Sequence, residues 1–253
     1  MSVITKIAES LHSFDSISLS ELDDLLLMKR VDKKFVLPCQ HIPEILEKAK
    51  HDYRILEIED QRALSYRTKY LDTPDMFLYN QHHTGRLNRQ KVRYRTYEVS
   101  NTTFLEVKTK NNKGTTEKTR IETSNPTLST IQERVFLKET LYCKYKFLDE
   151  SLINSFKRIM LLSFQTKERI SIDYNLSFTK NGRKIDLPYV SIIEVKREKS
   201  ARKSPIIDIL KDLGIQSRGF SKYCIGIALL DDSVRINSFK PNLLYLKKIK
   251  HAI

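Results

Sequence analysis

Charged and apolar residues alternate along RVDKKFVL (30–37), KVRYRTY (91–97), FLEVKTK (104–110), ERISID (168–173) and IIEVK (192–196). A period of two sends successive side chains to opposite faces of a strand, so each stretch predicts a strand with one charged and one apolar face. The same pattern predicts strands over 53–59, 63–71, 87–97, 103–110, 115–123, 158–164, 168–178 and 189–198, with turns at Gly114 and at NGRK (181–184). Helical signals lie between them. Ser20 followed by Asp23 predicts a capped helix over 20–28, and Pro43 opens the amphipathic IPEILEKAK. Pro74 and Gly85 bound another helix, residues 127–156 read as largely helical, and 204–213 ends at Gly214 before a last helix over 220–230.

Strands interrupted by occasional helices specify an α+β fold around one large antiparallel sheet, and about eight strands suffice to close a barrel. The sequence holds no internal repeat or Gly/Ser linker. One domain over 28–233 is therefore expected, after a helical lead-in at 1–27 and before a basic tail at 234–253 that reads as loose.

The charged faces change the picture. They carry Arg30, Asp32 and Lys34; Lys91, Arg93 and Arg95; Glu106, Lys108 and Lys110; Lys118 and Arg120; Arg169, Ser171 and Asp173; and Glu194 with Lys196. One such strand is an ordinary solvated face. Six, backed by Val92, Tyr94, Leu105, Val107, Ile170, Ile172, Ile193 and Val195, call for an eight-stranded antiparallel barrel with helices packed outside and charge inside. Unpaired buried charge costs several kcal/mol, so that interior must be a water-filled tunnel shaped for a polyanion. A phosphate chain needs no carboxylates, but a divalent cation bridging its oxygens does. Glu194 and Glu106 are the metal candidates, with Asp32 and Asp173 behind them.

The 253-residue chain has a formal net charge of +14 and a pI near 9.6, which points to an anionic partner: nucleic acid, an acidic lipid surface or a phosphorylated small molecule. No helix-turn-helix, zinc-finger or RNP signature supports nucleic acid, and a tunnel would hide its charge from a duplex. Cys39, Cys143 and Cys224 lie far apart at no metal-binding spacing, as expected of a reducing, cytoplasmic setting. Apolar runs such as IMLL and IGIALL are too short to span a bilayer, so no intrinsic membrane segment is expected. His82 and His83 read as a polar helix end, Tyr70, Tyr94 and Tyr97 as wall packing, and Lys199, Arg202 and Lys203 as a solvated run near a tunnel mouth.

Together with TKYLDTPD (68–75), EKTRI (117–121) and FSKYCIGI (220–227), the alternating segments resemble, in order across 28–230, the catalytic domain of the vacuolar transporter chaperone (VTC) polyphosphate polymerases, within the triphosphate tunnel metalloenzymes. The resemblance implies transfer of the γ-phosphoryl group of ATP to polyphosphate inside the tunnel, with manganese or magnesium. Carried over by position, Lys34, Arg93, Arg95, Lys108, Lys118, Arg169, Lys196 and Lys222 become phosphate ligands and Glu194 the metal carboxylate. Arg93, Arg95, Lys108, Lys196 and Lys222 would serve catalysis. The strand faces add Lys91, Lys110 and Arg120 to the phosphate site and Glu106 to the metal. The chain departs from the family where a Tyr-x-Arg pair precedes the ERISID strand: Phe164 and Lys167 stand there, leaving one arginine missing or replaced by Lys167. Gly219, beside Arg218, replaces a basic residue before Phe-Ser-Lys. No segment resembles the family's SPX domain or membrane helices, which leaves room for a membrane partner. The hydrolases of the superfamily carry Glu-x-Glu-x-Lys where this chain has Arg30, Asp32 and Lys34. A triphosphatase and a non-catalytic polyphosphate-binding module are the alternatives.

Overall fold

The fold is described by a computed structural model covering residues 1–24, 30–113, 115–142, 147–201 and 203–252. The second half of the helix predicted over 20–28, the turn at Gly114, Cys143 and Arg202 lie outside the described residues. In chain order the elements are α1 (Val3–Leu11), β1 (Ser16–Ile17), α2 (Leu19–Asp24), β2 (Arg30–Pro38), α3 (Ile42–Ala49), β3 (Arg54–Leu56), β4 (Leu64–Asp72), α4 (Phe77–His83), β5 (Arg89–Tyr97), β6 (Thr102–Lys110), β7 (Thr116–Glu122), α5 (Ile131–Thr140), β8 (Asp149–Ser163), β9 (Glu168–Lys180), β10 (Arg183–Leu187), β11 (Val190–Glu198), α6 (Pro205–Asp212), α7 (Lys222–Leu230) and α8 (Lys240–His251).

Eight strands form one antiparallel path in the order β2-β11-β9-β8-β4-β5-β6-β7. The sheet is strongly curved, but it does not close: β2 and β7 end the path without pairing to each other. The short β1 and β3 pair parallel beside β8, and β10 extends the β9 edge.

Alternation decides what each face buries. On the convex side Ile170, Ile172, Ile193 and Val195 pack with Ile7 and Leu11 of α1, Ile42, Ile45 and Leu46 of α3, and Ile206 and Leu210 of α6. Val92, Tyr94, Leu105 and Val107 pack with Leu78 of α4 and Leu137 of α5. A third cluster crosses to the concave side, where α7 lies over one end of the sheet. Gly226 makes that approach possible: a Cβ there would sit 2.5 Å from Leu152 Cδ2 and 2.6 Å from Phe178 Cδ1.

Several elements differ from the sequence reading. The cap of α2 is Ser18 with Glu21, whose carboxylate accepts the Ser18 N–H at 2.8 Å, not Ser20 with Asp23. α4 begins three residues after Pro74, because the buried Asp72 carboxylate accepts the N–H groups of Leu78 and Tyr79, both at 2.8 Å, and thereby caps it. Residues 149–156, read as helix, form the first half of the 15-residue β8, where pairing with β4 and β9 overrides local propensity. Asn181 and Gly182, both at positive φ, turn β9 into β10, a strand absent from the prediction. The segment read as a loose tail holds α8, which buries Leu246 and Ile249 in the core.

Candidate functional site

The two limbs of the curve build separate charge clusters on the concave face. In the first, Arg93 of β5 lies directly opposite Glu106 of β6, and Lys91 opposite Lys108. β7 continues the row, with Arg120 opposite Glu106 and Lys118 opposite Lys108. Glu106 is fully buried. Its Oε2 accepts from Arg93 Nε at 2.7 Å and Nη2 at 2.5 Å, and its Oε1 lies 3.4 Å from Lys118 Nζ. Burial opposes its ionisation, yet Arg93, Arg95 and Lys118 outweigh that and hold its pKa down to about 2. Arg95 donates to Thr68 Oγ1 of β4 and stands 5.7 Å from the centroids of both Tyr66 and Phe156.

The second cluster lies on β8, β9, β11 and β2. Lys34 is opposite Glu194, Asp32 opposite Lys196, and Lys196 in turn opposite Arg169. Lys34 Nζ donates to Glu194 Oε1 at 2.9 Å. Burial raises the Glu194 pKa, but Lys34 and Lys196 bring it down to about 2. Next to it Arg158 grips Asp173 through two bonds, Nε to Oδ1 at 2.5 Å and Nη2 to Oδ2 at 2.8 Å. Lys222 reaches the same Asp173 from the first residue of α7 while its Nζ sits 3.9 Å from the centre of the Phe156 ring. Burial lowers its pKa to about 8 despite the Asp173 carboxylate. Lys91 donates to Ser221 Oγ, the N-cap of α7, at 2.9 Å, so the helix N-terminus is tied to both limbs.

Curvature brings these limbs to face each other. Lys108 on β6 is held well below its ordinary pKa by Arg93, burial and Arg95, and it feels both Glu194 and Lys196 on β11, five places away along the sheet. Lys91 likewise feels Lys34, whereas Arg95 and Arg158 meet along the sheet itself, on the shared rings of Tyr66 and Phe156. Many cations, few acids and partial burial leave the space between the limbs strongly positive. Such a space favours an anion whose charge is repeated along its length.

Of the sequence-predicted residues, Lys34, Lys91, Arg93, Arg95, Glu106, Lys108, Lys118, Arg120, Arg169, Glu194 and Lys196 share this concave face by register, as does Lys110, opposite Arg89 at the end of β6. Arg120 and Lys118 stand on β7, which is exposed along nearly its whole length. Arg158 was missed by the sequence reading. It follows Lys157 in FKRIMLL, where charge and apolar residues do not alternate, and its register with Asp173 becomes visible only once β8 is paired. Lys167, the residue expected to stand in for a missing arginine, sits exposed in the β8–β9 turn, 3.9 Å from Glu198. Asp173 accepts from both Arg158 and Lys222. His82 is a structural residue: burial pushes it down to about 2, and its neutral ring donates to the Gln90 carbonyl. Tyr70 stacks on Tyr223, Tyr97 packs edge-on to Tyr66, and Tyr94 donates to Glu133 on the convex side. Lys199 and Lys203 are exposed.

No group of three or more His, Cys, Asp or Glu residues that could hold a metal occurs among the described residues. A divalent cation here would rest on one carboxylate and complete its shell with substrate oxygens and water, as magnesium does in many phosphoryl-transfer sites. Glu194 fits that part, being 19% exposed with a single lysine bond to Oε1. Glu106 fits it poorly, since both oxygens are engaged and the side chain is 1% exposed.

A family model for the VTC domain matches residues 29–231. The chain belongs to the VTC domain family. No curated protein matches it. Among solved structures this VTC domain is similar to a candidate adenylate cyclase from Bacillus halodurans, at 15% identity and a TM-score of 0.48, with 81% of this chain and 98% of that chain covered. It is similar to a candidate adenylyl cyclase from Hippeastrum with a dominant triphosphatase activity, at 15% identity and a TM-score of 0.48, with 79% and 96% covered. A third is a protein from Pyrococcus horikoshii, at 15% identity and a TM-score of 0.44, with 79% and 98% covered. The matched span takes in both charge clusters and α7, and it stops before α8. No described helix of this VTC domain is long and apolar enough to cross a membrane.

Proposed function

We propose that this VTC domain is a polyphosphate polymerase: it binds the triphosphate of ATP between the two limbs and transfers the γ-phosphoryl group to the end of a polyphosphate chain. The observation that carries this reading is the opposition of Lys108 and Lys91 on one limb to Glu194, Lys196 and Lys34 on the other, across a space with far more bases than acids. In the reaction the bond from the γ-phosphorus to its bridging oxygen breaks, a new P–O–P bond forms to the chain's terminal oxygen, and ADP leaves. That terminal oxygen is already anionic, so no side chain need remove a proton. Developing charge lies on peripheral oxygens, where positioned cations supply most of the catalysis.

Arg93 and Arg95 would grip phosphate through their planar forks, while Lys34, Lys108, Lys196 and Lys222 act as point charges. Arg158 and Asp173 hold Lys222 in place. A manganese or magnesium ion held by Glu194 would neutralise charge on the β- and γ-phosphate oxygens. Asp32 as the single acid of the Arg30-Asp32-Lys34 triplet favours binding a further phosphate over activating water, and this supports transfer over hydrolysis. The free, buried Cys39 and Cys224 support a cytoplasmic setting.

The test is to incubate the protein with ATP and manganese, then resolve ADP, free phosphate and long-chain polyphosphate, with Glu194→Gln as control. ADP with acid-labile chains, lost in the variant, is the expected result. ADP with free phosphate alone would make the protein a triphosphatase, and tight tripolyphosphate binding without turnover would make it a binding module.

A further inference from the structure

The C-terminal helix α8 follows the matched span, and no acidic residue follows Asp232 in the sequence. Its buried side carries Leu246 and Ile249. Lys240, Lys247, Lys248 and His251 recur at offsets of seven, eight and eleven residues, which brings them to the opposite, exposed side. The helix is fixed beside the tunnel by specific bonds. Tyr245 donates to the Val36 carbonyl of β2 at 3.0 Å, Asn242 donates to the Gly219 carbonyl at 3.1 Å, and Arg218 stacks over the Tyr245 ring at 4.3 Å. The Arg218 N–H in turn bonds the Lys34 carbonyl at 2.7 Å, and three residues on stands Ser221, which holds Lys91. Arg218 thus joins the β2 edge, where Ser217 bridges to Phe35, to the inner side of α8, and the lysines of α8 line its outer side.

We propose that the exposed face of α8 is a binding track for the part of a polyphosphate chain that extends beyond the tunnel. This deepens the polymerase reading and rests on it for the identity of the chain. The track gives a role to basic side chains that lie outside the matched span, on a helix packed against the β2 edge. A chain held there stays tethered between successive additions, because its second contact is intramolecular.

The test compares wild type with Lys240→Gln/Lys247→Gln/Lys248→Gln and with the matching triple lysine-to-arginine variant, using long-chain polyphosphate and tripolyphosphate as probes across a salt series. The glutamine variant is expected to bind the long chain about tenfold more weakly and to flatten the logarithmic salt dependence by about 2, at roughly 0.7 per lost contact on a single-stranded polyanion. Tripolyphosphate binding should be unchanged, and the arginine variant should match wild type. Unchanged long-chain affinity, or equal loss of both probes, overturns the track. Vesicles of phosphatidylserine and phosphatidylcholine form the last arm: if the glutamine variant loses only vesicle binding, the face is a lipid surface and the track is overturned. Failure of wild type to bind tripolyphosphate would overturn the tunnel reading instead, while α8-dependent binding of long chains would still stand.

Discussion

Glu106 and Glu194 are two carboxylates on one sheet face, both held near a pKa of about 2 by surrounding cations, yet they are built for different work. Glu106 is fully buried, with Arg93 on one oxygen and Lys118 on the other; Glu194 is partly open and holds one lysine. A carboxylate saturated by guanidinium orients the arginine. One that meets a single flexible lysine can exchange that partner for a metal or let the lysine turn to a phosphate. A depressed pKa alone does not mark a ligand; the number of fixed partners separates clamp from site.

The largest expected effect comes from taking the arginines away. Arg93→Ala with Arg95→Ala should weaken tripolyphosphate binding by about 3–6 kcal/mol, at roughly 1.5–3 kcal/mol for each charge-assisted contact. Isothermal titration checks this, and unchanged affinity would place the first limb outside the phosphate site. Next is Glu106→Gln, which strands a buried guanidinium and should cost about 3–5 kcal/mol of stability in denaturant titrations. Because the folded Glu106 pKa is depressed, its stabilisation is full above the unfolded value near 4.5 and is lost as pH falls towards about 2. The gap between variant and wild type should therefore narrow over that window, and a constant gap would contradict the clamp. Glu194→Gln should cost less stability than Glu106→Gln, because it strands only a part-exposed lysine that water can solvate. It should still lower metal-dependent turnover by roughly 100-fold, the loss typical of removing one preorganised electrostatic contact. A variant that is destabilised as much as Glu106→Gln would erase the contrast between the two sites.

The smallest effect is in pH. Lys222 titrates near 8, so it is charged below that value and loses its charge above it. Tripolyphosphate affinity should fall by a few-fold between pH 7 and 9, and Lys222→Arg should reduce the fall. An identical pH profile in the arginine variant would remove Lys222 from the phosphate site.

How much of this was legible in sequence follows from the physics of each element. The period of two placed β2, β5, β6, β9 and β11 and sorted their faces correctly, because a strand's charged side is written locally. β8 was half lost, since ESLINSFK carries no clear alternation and is extended only because β4 and β9 pair with it. Arg158 opens the half that was read as strand, yet its role was missed, because its pairing with Asp173, and through it with Lys222, depends on register between strands. Curvature was inferred from the need to shelter charge, and the open seam between β2 and β7 was not foreseen. Partner choice across a sheet is a long-range property that no window of residues encodes. The C-terminal segment read as loose because its charge drew the eye from Leu246 and Ile249, which anchor it.

Gly226 draws these threads into mechanics. Glycine weakens a helix by about 0.5–1 kcal/mol relative to alanine, and here it sits one turn beyond Lys222 in a helix pressed against Leu152 and Phe178. The missing methyl group therefore works as a spacer gauge. It sets how far α7 sinks towards the sheet, and with that the reach of Lys222 to Asp173 and of Ser221 to Lys91. An apolar contact on the dry side of the helix calibrates the spacing of charges on the wet side, so the tightness of the anion site is tunable from a residue that carries no charge at all.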